Sequence, residues 1–174
     1  RWGIGLSLIA NMVWGGAALY WLQTKPVSSL DVLAHRGVWT LPAALAVLLV
    51  ARRFLATLHL LTDIKTVFVM FCAAALISVN WGTFLYAVTH GHATQASLGY
   101  FLLPLLSVLL GVMLFGESPT RAQQWAIALA LVAIAIQLLA VGGFPIISLT
   151  LSLSFALYGV IRKTVKADAM QGLF

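Results

Sequence analysis

The residues able to do chemistry in this chain are few and are set in apolar surroundings. The densest group runs from Asn80 to Pro104, in NWGTFLYAVTHGHATQASLGYFLLP. Asn80 and Trp81 open it, Tyr100 and Pro104 close it, and Gln95 and Ser97 stand between. Asn11 and Trp14, three apart and so on one helix face, repeat the amide-plus-indole theme beside Gly15 and Gly16. These side chains offer hydrogen bonds and aromatic surface. Such groups either line a cavity or bond across closely packed helices. Near the middle of an apolar span Asn80 needs a partner or water, which favours the cavity. Pro104 leaves the carbonyl of Tyr100 without its helical donor and bends the chain. Freed backbone at membrane depth is tolerated where it lines a cavity or is buried in protein. Asn11, Trp14, Asn80, Trp81 and Tyr100 are therefore the candidate cavity wall, and Pro104 is the candidate kink.

Asp31, His35 and Arg36 form a second group. Asp31 and His35 are four apart and share a face. The group is either an outer gate that attracts anionic substrate or a charged cap snorkelling into the headgroups. With Gln95 and Ser97 near the outer mouth, His35 and Arg36 are the gate candidates. His90 and His92 lie in a turn with no third ligand, so no metal site is expected. Gln95-Ala96-Ser97-Leu98-Gly99 lacks the first glycine of a nucleophile elbow, and no phosphate-binding loop is present. No catalytic residue and no cofactor are expected.

The elements that carry these groups are membrane spans. The chain has 62% hydrophobic and 8% charged residues, with a mean hydropathy of +1.04. Soluble domains carry about 25% charged residues, so an integral membrane protein is implied. Six segments approach the roughly 20 apolar residues that a crossing needs: Trp2–Leu22, Val32–Ala51, Val67–Val88, Thr94–Phe115, Trp125–Val141 and Pro145–Ile161. Lys25-Pro26, Gly116-Glu117-Ser118-Pro119 and Gly142-Gly143-Phe144-Pro145 mark breaks. Between Arg52 and Thr66, Phe54, Leu55, Leu58 and Leu61 recur at helical spacing. That stretch is either a surface helix or an extension of a neighbouring span. Cys72 is the sole cysteine, so no intrachain disulfide forms.

Charge orients the spans. With a cytoplasmic N-terminus, Arg1, Arg52, Arg53, Lys65, Arg121, Arg162, Lys163 and Lys166 lie inside. Only Lys25 and Arg36 lie outside, which accounts for all ten Lys and Arg. The net charge of +6 thus reads as membrane orientation rather than nucleic-acid binding. No carboxylate falls within a span: Asp31, Asp63, Glu117 and Asp168 sit at helix ends or in loops. That argues against a proton antiporter built on a buried Glu. Ala18-Leu19-Tyr20 followed by Lys25 is echoed by Ala156-Leu157-Tyr158 followed by Lys163. The sixth span then copies the first in the opposite direction, as in inverted-repeat transporters. The chain begins at Arg1 and stops at Phe174, and it reads as part of a longer protein.

Taken together, Leu33-Ala34-His35-Arg36-Gly37-Val38-Trp39, Asn80-Trp81, Ala96-Ser97-Leu98-Gly99-Tyr100-Phe101 through Pro104, Gly116-Glu117, Pro145-Ile146-Ile147, Tyr158-Gly159 and Arg162-Lys163 resemble the RarD-type permeases. These belong to the EamA family of the drug/metabolite transporter superfamily. The resemblance covers essentially the whole chain. It departs at Gln95, where the family often has Glu, and at Leu103, where it often has Asn before the proline. It implies ten helices in two inverted five-helix repeats, a central cavity and a bacterial inner-membrane location. The fold expected is all-α and polytopic, with six transmembrane helices as the N-terminal part of that ten-helix transporter. Residues 1–142 would form the first repeat and 143–174 the first helix of the second. The function expected is passage of a small metabolite or drug-like molecule by alternating access; the alternative is a non-transporting membrane scaffold or sensor. The expected partners are the lipid bilayer and a small-molecule substrate. Protons and a second copy in a homodimer are further candidates, and nucleic acid is not expected.

Overall fold

The structure, a computed structural model, describes residues 2–141 and 145–165. Arg1, the Gly142-Gly143-Phe144 part of the expected linker, Lys166 and Asp168 lie outside the described residues. Among the described residues the ordered elements are all helices: α1 (Trp2–Leu22), α2 (Ser29–Val50), α3 (Phe54–Leu60), α4 (Ile64–Thr89), α5 (Ala93–Phe115), α6 (Arg121–Val141) and α7 (Ile146–Thr164). Five of them, α1, α2, α4, α5 and α7, are long and apolar enough to cross a membrane, and α6 contributes a shorter apolar run. This is a multi-pass membrane architecture.

α2, α4 and α6 begin earlier than their apolar runs because their first turns are polar. Ser28 caps α2 and accepts from the Leu30 amide, so α2 starts at Ser29 rather than at Val32. Asp63 caps α4, accepting from the Lys65 amide at 3.1 Å and the Thr66 hydroxyl at 2.7 Å. Thr120 and Gln123 bond reciprocally ahead of α6, a capping box read from T-R-A-Q. Gly116 ends α5 in the left-handed conformation (φ 64°) that glycine adopts without steric cost. Arg52, between α2 and α3, takes the same conformation (φ 55°) with a side chain attached.

The stretch after α2 resolves into a separate helix, α3. Leu55, Leu58 and Leu61 are exposed along it, whereas Thr57 is buried and donates to the Arg53 carbonyl. Thr57 faces the bundle together with Leu60 and Leu61, which line the space beneath, and Leu55 and Leu58 face outward.

Helix directions alternate. Ser29 meets Thr89 at 3.2 Å, which sets the start of α2 beside the end of α4. The Arg162 guanidinium donates to Met70 Sδ, which sets the end of α7 beside the start of α4. Lys163 pairs with Glu117 at 3.0 Å, which brings together the ends of α5 and α7. One end of the bundle therefore carries the α1–α2 turn, the His90–His92 hairpin and the start of α7. The other end carries α3, the α5–α6 turn and the end of α7. They are called here the hairpin end and the α3 end. Lys25 lies at the hairpin end, and Arg52, Arg53, Lys65, Arg121, Arg162 and Lys163 at the α3 end.

The tightest packing joins α5 to α7. A Cβ on Gly99 would lie 2.9 Å from the Ser148 carbonyl oxygen and 3.0 Å from Leu151 Cβ. Only glycine permits that approach. Ala87, Ala96 and Leu151 form the buried cluster beside it, with Phe84 and Ile147 against it. In contrast, Gly15 and Gly16 of α1 have open space around them.

Candidate functional site

Close packing of α2 on α4 builds the site. Gly82 brings α4 against Leu33: a Cβ there would lie 3.4 Å from Leu33 Cδ2. One turn along α2, the Arg36 guanidinium lies over Trp81, with Cζ 3.5 Å from the ring centroid. It also lies 5.3 Å from the Trp21 ring. Trp14 meets Trp81 at 5.3 Å, and Phe84 meets it edge-on at 5.7 Å. A cation over a Trp face contributes about 0.5–2 kcal/mol, more as water is excluded. Arg36 stands seven residues into α2 and Trp81 eight from the end of α4, so the pair lies about 11 Å below the hairpin end. Arg36 is thus not at a helix end, and a cap reaching the headgroups does not describe it. The physical reason is the earlier start of α2 at Ser29.

Below the pair opens a cavity of about 580 Å³ between α2, α3, α4 and α7. Arg36 and Trp81 stand at one end of it, and Thr66, Met70 and Arg162 at the other. Thr57 and Leu60 of α3 and Tyr158 of α7 complete the wall. Among the described residues the lining includes two arginines and no carboxylate. Two buried polar atoms among the described residues have no hydrogen-bond partner, Arg36 Nη1 and Trp21 Nε1.

The structure distributes the expected site residues unevenly. Trp81 and Arg36 line the cavity. Trp14 touches Trp81 from α1. Asn80 does not line it. Its side chain is buried in the α4–α7 seam, donating to the Leu151 carbonyl at 2.7 Å and to Ser154 Oγ at 3.2 Å. Consecutive helical residues point about 100° apart, so Trp81 and Asn80 serve different neighbours. Asn11 donates to the Ser7 carbonyl of its own helix and is exposed. Tyr100 meets Phe84 edge-on at 6.0 Å, at the margin of the aromatic cluster and outside the cavity lining. Gln95 contributes its carbonyl, which accepts from the Ser148 hydroxyl at 2.6 Å. His35 and Ser97 are exposed, away from the cavity, and α5 runs unbroken through Pro104. His90 stacks on Tyr86 at 4.2 Å and contacts Thr89 and the Tyr86 carbonyl. Among the described residues no group of three His, Cys, Asp or Glu could hold a metal.

Sequence reasoning missed four kinds of participant. Trp21 read as one more apolar residue of α1, Tyr158 as part of an echo, and Arg162 as an orienting charge. The buried serines Ser148, Ser152 and Ser154 of α7 went unread. Their S-x-x-x-S-x-S spacing in an apolar helix was the available signal.

The profile of the EamA-like transporter family matches residues 1–139. The chain belongs to this family. Its relatives include an uncharacterized transporter of Vibrio cholerae, 36% identical over 99% of this chain and 57% of the relative. Protein RarD of Salmonella typhi is 38% identical over 99% of this chain and 59% of its own length. Protein RarD of Escherichia coli K12 is 35% identical over 99% and 58%. The EamA chain described here thus resembles RarD over nearly its whole length and spans less than two thirds of these relatives. No solved structure matches it.

Proposed function

We propose that this chain forms the cavity-bearing part of a permease that moves a small molecule across the bacterial inner membrane by alternating access. The carrying observation is the Arg36–Trp81 stack at the head of an open cavity within otherwise apolar helices. A single binding site at membrane depth, flanked by helices that can rock, is what alternating access requires. In this reading residues 1–142 are a first repeat and α7 opens a second, inverted one. The opposite directions of α1 and α7 and the Ala-Leu-Tyr echo support it.

The test is flux through the full-length protein in proteoliposomes against a broad panel of labelled small molecules. Saturable flux that falls at least about tenfold on Trp81→Ala, in a variant that keeps its melting temperature within a few degrees, supports transport through this cavity. Absence of flux for the whole panel would favour a non-transporting scaffold or sensor.

A further inference from the structure

The cavity wall carries Arg36, and among the described residues no carboxylate faces it. Each described carboxylate is placed elsewhere. Glu117 pairs with Lys163, and Asp63 caps α4. Asp31 is exposed five residues before Arg36, on another face of α2. Arg36 meets only aromatic rings, and one of its terminal nitrogens is buried without a partner. A guanidinium carries five N–H donors in a planar fork matched to carboxylate and phosphate oxygens. Contact with the Trp81 ring holds the guanidinium at the cavity head before a ligand arrives. At the other end of the same cavity stands Arg162.

We infer that the molecule carried is a small organic anion with an apolar body, its anionic group held by Arg36 and its body along Phe71 and Ile77. The inference rests on the transport reading above and gives it a substrate class. A cavity of about 580 Å³ suits a ligand of drug-like size. A cationic substrate would meet Arg36, and the indole face it would need is already covered by that guanidinium. A neutral one would leave the guanidinium edge unpaired in a largely apolar site, where an unsatisfied charge is disfavoured.

Matched acid and amide pairs test this: benzenesulfonate, benzoate and hexanoate against benzenesulfonamide, benzamide and hexanamide, with benzamidinium as the cation. Binding to full-length protein in nanodiscs is read by quenching of tryptophan fluorescence. Each acid should bind at least about tenfold more tightly than its amide, the scale of one charge-assisted hydrogen bond. Arg36→Gln should bring the acids down to the amides, whereas Arg36→Lys should keep part of the preference. Equal affinities, tightest binding by benzamidinium, or a preference intact in Arg36→Gln would overturn the inference. If Arg36→Gln does not fold, the wild-type comparison decides alone. Amides that bind in a Trp81-dependent way without charge preference would sink the anion inference and leave the transport reading standing. No binding by any member, together with no flux, would sink both.

Discussion

Asn80 and Trp81 are adjacent in sequence and separate in consequence. The Asn80 amide ties α4 to the carbonyl of Leu151 and the hydroxyl of Ser154, so its loss is a packing loss. Interhelical hydrogen bonds within membranes average about 0.6 kcal/mol and reach about 1.7. Asn80→Ala should therefore lower stability by about 1 kcal/mol, measured by denaturant unfolding in mixed micelles, while binding of any cavity ligand changes little. Trp81→Ala should instead weaken ligand binding beyond any packing cost of its own, because the ring stacks on Arg36 at the cavity head and Asn80 does not reach it. A binding defect in Asn80→Ala as large as in Trp81→Ala would contradict this division. Glycines divide in the same manner. A methyl at Gly99 meets backbone of α7 at 2.9 Å, which no rotamer change relieves, and overpacking of this kind costs about 1–3 kcal/mol. Gly99→Ala should lower the unfolding midpoint. Gly15→Ala, with open space around it, should hold or raise the midpoint through helix propensity.

At the scale of elements, polar caps decide where the helices begin. The Asp63 carboxyl is held below the usual carboxylate range, first by the Thr66 hydroxyl and then by the Lys65 amide. A carboxyl with a lowered folded pKa stabilises the fold above its unfolded pKa, and that contribution is lost as pH falls through the folded value. Thermal stability should therefore fall on acidification below about pH 4, where an ordinary Asp begins to protonate. Asp63→Ala should start lower at neutral pH and show a shallower decline over that window; parallel pH curves for the two proteins would refute the cap. The apolar periods of the sequence located every long helix because the hydrophobic requirement of a span is a long-range, redundant signal. They missed each polar first turn, since Ser28, Asp63 and Thr120 read as loop until their acceptors are seen to meet backbone amides. They left the stretch before α4 open between a surface helix and an extension of a neighbouring span; it is a separate short helix with Leu55 and Leu58 facing outward and Thr57 pointing in.

For the whole molecule, the alternation of helices was legible from charge and length, but the site was legible only in its composition. Trp14, Trp81 and Arg36 could be named from sequence, and their meeting could not, because it depends on how α2 packs on α4 and on where α2 begins. The same three-dimensional arrangement divides the basic residues between two ends, and that division carries a topology. Arg52, Arg53, Lys65, Arg121 and Lys163 gather at the α3 end, whereas Lys25 marks the hairpin end. The basic end of a membrane protein is retained in the cytoplasm. With Cys72 and any other cysteine of the full-length protein replaced by Ala, a cysteine at His92 should react with an impermeant maleimide added to intact cells. Cysteines at Arg53 or Ser118 should react only after the membrane is opened. Labelling of Ser118→Cys in intact cells would invert the bundle and place the Arg36–Trp81 pair nearer the cytoplasmic face. Arg36 lies about 11 Å from the hairpin end, so the expected orientation sets the Arg36–Trp81 pair nearer the outer face than the cytoplasmic one.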